Sequence, residues 1–299
     1  MELARKKCDR LAGSFKRSSV YPSKWLFWGK FWYGLRSRYR KCRVSKFLTE
    51  ILGPQYRRSR NFIEIDITYL CNLHCLNCNR SASQAPQTLH ISMKRIEDFV
   101  DESIACKHRW DRIRVLGGEP TLHPQFHEII ERLLRYHKWN PGCLIEVVTN
   151  GYGEKVRSVL ALLPKDIWIE NSRKTGQVQS TFGPFNLAPC DDPSFSGADY
   201  RNGCAIMEEC GMGLTPMGYY PCAIAGGIDR IAGWGVGYNK LPASEDDMLE
   251  LVDRCCTFCG RFQSGHFIPK NLRPNLLETK MSASWLNLYR NWEETRKIS

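Results

Sequence analysis

At 299 residues, with 42% hydrophobic and 25% charged content, the chain can bury one large core or two modest ones, which excludes both a disordered polymer and a disulfide-stapled miniprotein. The formal charge of +12 is uneven: residues 1–60 hold 17 Lys and Arg against 3 Asp and Glu, whereas the rest of the chain holds 26 against 28. The basicity belongs to an N-terminal arm, and the body is near neutral. The start MELARKKCDR leads into no apolar core of signal-peptide length, and no later stretch approaches the roughly 20 apolar residues of a membrane span. The expectation is a cytoplasmic protein, peripheral to a membrane at most. In a reducing compartment 14 cysteines are not seven disulfides, and their clustering at 71–78, 204–222 and 255–259 points to metal.

In chain order, the arm comes first. In WLFWGKFWYGLRSRYRKCR, Trp25, Trp28, Trp32 and Leu35 repeat at helical spacing, with Lys24, Lys30, Arg36, Arg38, Arg40 and Lys41 among and after them. Such a helix can cover the body with its aromatic face while its charges stay in water, lie on an anionic membrane, or grip RNA phosphates. Beyond it, short strands are predicted at 62–70, 112–118, 144–151 and 166–171, rich in Ile and Val and ended by polar residues or Gly. Amphipathic helices lie between them. Met93, Ile96, Val100 and Ile104 form one stripe behind a Ser92 cap; Phe126, Ile129, Ile130, Leu133 and Leu134 form a second; Val156, Val159, Leu160 and Leu163 form a third. Strand-helix alternation with short connections predicts parallel strands, and in such sheets ligands gather at the carboxyl ends of the strands. Cys71 follows the first strand directly, and Gly117, Gly118 and Glu119 follow the second.

The loop CNLHCLNC offers three thiolates at Cys71, Cys75 and Cys78 where a closed tetrahedral metal site wants four. Three thiolates can hold three irons of a [4Fe–4S] cube and leave the fourth iron open to a small molecule. The competing reading is a zinc loop with His74 as fourth ligand, but His74 adjoins Cys75, a poor spacing for joint chelation. With LGGEP about forty residues later, at the end of the second strand, the pair of motifs resembles the radical S-adenosylmethionine (radical SAM) superfamily over residues 62 to about 171. The resemblance implies a partial (β/α)6-type radical SAM barrel, with Cys71, Cys75 and Cys78 on a [4Fe–4S] cluster whose open iron binds S-adenosylmethionine. Gly117, Gly118 and Glu119 would then belong to the segment that receives the cofactor's ammonium group, with Pro120 closing the turn. Thr149 and Asn150 stand where the family meets the ribose or methionine end. Asn77 occupies the position of the adenine contact, where the family commonly has an aromatic residue; that contact runs largely through the backbone.

A second cysteine region follows. Cys204 and Cys210 precede GLTPMGYYPC, whose Pro216-Met217-Gly218 turn would fold two short runs into a hairpin ending at Cys222. In SEDDMLELVDRCCTFCG, Ser244 and Asp247 read as a capping box for a helix that buries Met248, Leu249 and Val252 and delivers Cys255, Cys256 and Cys259. This order resembles the twitch domain, the shorter relative of the SPASM domain, and implies a second [4Fe–4S] cluster on Cys204, Cys222, Cys256 and Cys259, with Cys210 and Cys255 in reserve. Zinc suits four thiolates equally well. The glycine-rich 226–240 reads as a flexible loop near the site, with Trp234 and Tyr238 able to face substrate or to sit at its tip. Cys8, Cys42, Cys106 and Cys143 have no partner spacing and read as simple buried thiols. Asp191, Asp192, Asp199, Glu208 and Glu209 supply carboxylates, none singled out as a base.

The chain is thus expected to comprise the arm (1–60), a radical SAM core (61–189), a small β-hairpin/helix cluster-binding module (190–265) and a tail (266–299). The resemblance implies an enzyme that cleaves S-adenosylmethionine reductively and abstracts a hydrogen atom, oxidising a sugar, cyclitol or peptide by two electrons with the auxiliary cluster as acceptor. Its partners would be a small-molecule or peptide substrate and a reductant such as flavodoxin or ferredoxin. The alternatives are a radical SAM enzyme that modifies RNA gripped by the arm, and a non-catalytic zinc protein that binds nucleic acid.

Overall fold

The computed structural model describes residues 23–176, 183, 185–268, 272 and 281–298. Two helices, α1 (Ser23–Arg43) and α2 (Lys46–Leu52), precede an alternation of β1 (Phe62–Thr68), α3 (Met93–Ala105), β2 (Arg112–Gly117), α4 (Phe126–Trp139), β3 (Leu144–Thr149), α5 (Glu154–Ala161) and β4 (Trp168–Asn171). After a short α6 (Ile206–Glu209) come β5 (Met212–Thr215), β6 (Gly218–Tyr220), α7 (Ala223–Ala232), α8 (Leu249–Cys256), α9 (Arg261–Ser264) and α10 (Ala283–Ile298). The strands form a six-stranded sheet in the order β4-β3-β2-β1-β5-β6, parallel except for the antiparallel β5–β6 hairpin. The fold is mixed α/β, as expected, and its sheet is compatible with a partial barrel.

The central strand explains why the sheet holds together. Ile63, Ile65 and Ile67 alternate onto one face and are fully buried with Ile96, Phe99, Ile113, Val115 and Val147. The opposite face of β1 carries Glu64, Asp66 and Thr68, which are buried as well. Buried carboxylates need partners. In register across three strands, Arg114 pairs with Glu64 at 3.1 Å and with Glu146 at 2.7 Å. Arg80, which reaches in from the loop after β1, pairs with Glu64 at 2.7 Å and Asp66 at 3.1 Å.

The arm docks in the inverse of the expected sense. On α1 it is Arg40 and Arg43 that are buried, Arg40 donating through Nε to the Phe262 carbonyl at 3.1 Å and stacking over the Phe262 ring, and Arg43 bonding Asn202 and the Gly53 carbonyl. Phe27, Trp28, Phe31, Trp32, Leu35 and Tyr39 are exposed. Guanidinium groups go inward because backbone carbonyls wait there for donors. Cys8 and the side chain of Trp25 lie outside the described residues.

Two local expectations are corrected. Residues 223–232 are helix, not loop: Gly226 and Gly227 are buried in α7, and a Cβ on Gly226 would meet Thr215 Cγ2 at 2.5 Å, so the glycine serves close helix-to-strand approach. The helix after Ser244 starts later than its capping box implied. Asp247 is drawn into a 2.6 Å pair with Arg60, and the buried Met248 takes the cap position in a left-handed conformation, its amide bonded to Asp246. No helix among the described residues is long and apolar enough to cross a membrane.

If Arg80 anchors the loop to β1, Arg80→Met leaves Glu64 and Asp66 buried with less compensation. The expected cost is about 3–5 kcal/mol, read in denaturant unfolding as a lowered midpoint at unchanged slope.

Candidate active site at the carboxyl end of the sheet

Tyr69 and Leu70 connect β1 to Cys71, so the three-cysteine loop begins where β1 stops. The thiols of Cys75 and Cys78 stand close enough to Cys71 to oppose its ionisation, but burial is the main force that pushes Cys71 up to about 12. A thiol so placed carries its proton until a metal displaces it. The loop is braced by side chains: Gln84 donates to the Cys75 carbonyl at 3.0 Å, and Ser81, in a left-handed conformation, donates its amide to the Cys78 carbonyl at 2.8 Å.

Gly117 and Gly118 bring β2 against this loop. Their neighbours leave no room for a side chain: a Cβ on Gly117 would lie 2.2 Å from the Thr68 carbonyl oxygen, and one on Gly118 would lie 2.2 Å from that of Leu70. Gly117 also has a φ of +135°, open only to glycine. The amides of Gly118 and Glu119 then bond the Thr68 and Leu70 carbonyls at 2.7 and 2.8 Å. The Glu119 carboxylate is fully buried and accepts from the Thr121 and Thr149 hydroxyls and the Asn150 amide, each at 2.8 Å. Burial raises its pKa, and these donors pull it back without cancelling the rise. Glu119 thereby ties the end of β2 to the end of β3, and Pro120 opens the following turn.

Asn150 completes the link to the cysteine loop. Its Nδ2 donates to Asn72 Oδ1 at 2.8 Å and lies 3.9 Å from Cys71 Sγ, while Asn72 donates to the Tyr152 carbonyl at 2.8 Å. On the other side Asn77, at a φ of +53°, accepts from Asn186 Nδ2 at 3.0 Å; Tyr289 on α10 hydrogen-bonds both Asn186 and Ser81. Cys71, Cys75, Cys78, Asn77, Gly117, Gly118, Glu119, Pro120, Thr149 and Asn150 are therefore brought to one edge of the sheet. Arg80, Asn186 and Tyr289 were not anticipated. Arg80 had a signal, the charged residues alternating within an otherwise apolar strand; the other two, more than a hundred residues downstream, had none.

A second thiol cluster lines a cavity formed by Cys204, Cys222, Cys255, Cys256 and Cys259 with Met207, Ile224 and Ile228. Cys222 stands at the start of α7, Cys255 and Cys256 end α8, and Cys259 lies between α8 and α9. Burial pushes the Cys222 and Cys256 thiols far up, and the neighbouring thiols add to it. Two buried cations act on the cluster through their charge: Arg40 on Cys204 and Cys256, and Arg261 on Cys204 and Cys259. Among the described residues no three or more His, Cys, Asp or Glu side chains are arranged to hold a metal ion. Soft thiols around such a cavity are nevertheless a donor set suited to an iron–sulfur cluster, as are the three of the first loop. Of the two reserve cysteines, Cys255 lines this cavity, although its Sγ approaches the Ala225 carbonyl at 3.8 Å. Cys210 lies apart beside Arg114, 4.0 Å from Nη1.

Four of the remaining carboxylates are engaged elsewhere, and Glu209 offers its backbone carbonyl to Arg112. Asp191 accepts from the amide and hydroxyl of Ser284, Asp192 caps Ser194, Asp199 pairs with Arg201, and Glu208 receives the Arg57 amide. Trp234 packs on Phe258, and Tyr238 pairs with Tyr219 through the backbone. Cys143 is buried as expected, but Cys42 and Cys106, expected to be buried, are exposed, as is Cys190.

Residues 65–167, from within β1 to the approach of β4, match the model of the Radical SAM superfamily. The chain is 31% identical over 108 residues to human molybdenum cofactor biosynthesis protein 1, covering 36% of this chain and 16% of the relative. It is 28% identical over 104 residues to the GTP 3′,8-cyclase of Haemophilus ducreyi, 34% and 29% of the two chains. Over 72 residues it is 29% identical to the mycofactocin maturase MftC of Mycobacterium ulcerans, 24% and 19% of the two chains. The chain thus spans less than a third of the length of each of these relatives. Among solved structures it is similar to BtrN in complex with AdoMet and 2-DOIA, with a TM-score of 0.38 at 14% identity over 70% of this chain and 89% of that one. It is also similar to Streptococcus suis SuiB bound to S-adenosylmethionine, with a TM-score of 0.35 at 14% identity over 77% and 75%. A [4Fe–4S] cluster and S-adenosylmethionine are the cofactors of the superfamily that the matched model defines.

Since Gly118 has no space for a Cβ, Gly118→Ala should cost about 1–3 kcal/mol and reduce the iron retained after reconstitution. Gly197→Ala, where a Cβ meets nothing within 4 Å, is the control and should change neither.

Proposed function

We propose that the chain is a radical SAM enzyme that abstracts a hydrogen atom from an organic substrate, completing a two-electron oxidation. The observation that carries the reading is the convergence of the CxxxCxxC loop, the Gly117–Glu119 segment and Thr149–Asn150 at the carboxyl edge of one parallel sheet. In this reading Cys71, Cys75 and Cys78 hold three irons of a [4Fe–4S] cluster, and the bound cluster and S-adenosylmethionine supply a 5′-deoxyadenosyl radical. The chain's own residues provide the frame. Backbone carbonyls next to Gly117 and Gly118 are the groups available to a ligand ammonium, because Glu119 spends its carboxylate on Thr121, Thr149 and Asn150. Asn77, held by Asn186, which Tyr289 bonds in turn, offers backbone atoms to an adenine.

Residues 190–265 form a twitch-like module in this proposal, with Cys204, Cys222, Cys256 and Cys259 holding a second, fully ligated cluster. Such a site suits an electron acceptor better than zinc, which has no accessible redox couple. Arg40 and Arg261 favour it by stabilising added negative charge in a low-dielectric cavity. The substrate class we favour is a small polyol such as a sugar or cyclitol, or a peptide, with a flavodoxin- or ferredoxin-type reductant.

The test is anaerobic reconstitution with iron and sulfide of the wild type beside the variant Cys71→Ala/Cys75→Ala/Cys78→Ala. The wild type should bind about eight irons and form 5′-deoxyadenosine when reduced with S-adenosylmethionine, and the variant should retain about four irons and form none. Persistent 5′-deoxyadenosine in the variant would refute the cluster assignment. Zinc in place of the variant's iron would refute the oxidation half.

A further inference from the structure

We infer that the outward face of α1 is a docking surface for an anionic lipid bilayer, so that the protein binds membranes peripherally. This does not depend on the catalytic reading. At 100° per residue, Phe27, Trp28, Phe31, Trp32, Leu35 and Tyr39 fall within a sector of about 140°. All six are exposed, from 48% for Leu35 to 69% for Phe27. The face opposite is the one that docks: Gly29 lies against Leu272, Tyr33 against His266, and Arg40 against Phe262. Among the described residues nothing covers the aromatic sector, because the helix is already seated on its other side.

The rings are ordered as a surface ladder. Phe27–Trp28, Trp28–Phe31 and Phe31–Trp32 meet edge to face at 6.0, 6.0 and 5.8 Å. On α2, Phe47, Ile51 and Leu52 are exposed too. A patch of this kind on a soluble face marks an interaction site.

Charge decides the occupant. Residues 23–43 contain seven Lys and Arg and no Asp or Glu. Lys30, Arg36, Arg38 and Lys41 are exposed, with Arg36 at one border of the aromatic sector, Lys30 and Lys41 at the other, and Arg38 inside it. Two such helices would repel, which disfavours a second copy of this chain. An anionic leaflet satisfies both components: Trp and Tyr rings settle at headgroup level, apolar side chains enter the acyl boundary, and the bordering cations meet the phosphates. RNA would use the charges but leave Leu35, Ile51 and Leu52 in water.

The test is co-sedimentation of the full chain with vesicles of equal parts phosphatidylglycerol and phosphatidylcholine, compared with vesicles of phosphatidylcholine alone. The expected result is sedimentation with the anionic vesicles, accompanied by a blue shift of tryptophan emission. Partition should fall by about tenfold or more in Trp28→Ser/Trp32→Ser, with the unfolding midpoint unchanged because both residues are exposed. Screening at about 1 M salt should weaken the binding without removing the emission shift of the remainder. Equal sedimentation of the double variant, absence of sedimentation, or retention of the protein by polyuridine RNA with no vesicle binding would each overturn the proposal.

Discussion

The pair formed by Arg80 with Glu64 and Asp66 is the contact on which the rest of the site depends. Two carboxylates on the inner face of a central strand are untenable without a cation, and the cation comes from the loop that carries Cys71, Cys75 and Cys78. One interaction thus satisfies the interior of the sheet and fixes the position of the cysteine loop over it. Burial raises Asp66 toward about 6, opposed by Arg80, whereas Glu64 is held low because Arg114 reaches it as well as Arg80. Two arginines shared among three carboxylates make the network a unit, whose members cannot be exchanged singly at low cost.

Around this anchor the two glycines and Glu119 act as spacers and clamps. Gly117 and Gly118 let the end of β2 touch the backbone of Thr68 and Leu70, and Glu119 then joins the end of β2 to the end of β3 through its bonds from Thr149 and Asn150. The edge that results is rigid in its backbone, which is what a site built from thiols and carbonyls needs. The arm contributes at the second thiol cluster, where the charge of Arg40 on α1 acts on Cys204 and Cys256. The same helix therefore carries a cation toward the second thiol cluster on its inner side and an exposed aromatic surface on its outer side.

The strands and the first helices were legible because Ile and Val alternate in short runs and Ile, Leu and Phe recur at helical spacing. The cysteine loop and LGGEP were legible because both are local: all the residues that define them lie within a few positions. What escaped reading was set by tertiary contacts. Gly226 and Gly227 looked like a loop, yet they sit in α7 because a side chain at 226 would strike Thr215. Ser244 and Asp247 matched a capping box, but Arg60 takes Asp247 and moves the helix start to Leu249. Arg40 looked like one more surface charge, and the carbonyls of Phe262 and Gly203 that it bonds make it a core residue. Tyr289 reaches Ser81 across more than two hundred residues, a distance at which no spacing rule operates.

The central claim is that three thiolates leave one iron open to a small molecule, and electron paramagnetic resonance of the reduced, reconstituted protein tests it most directly. The account predicts two cluster signals, one of which changes its g-values when S-adenosylmethionine is added while the other does not respond. A spectrum indifferent to S-adenosylmethionine would contradict it.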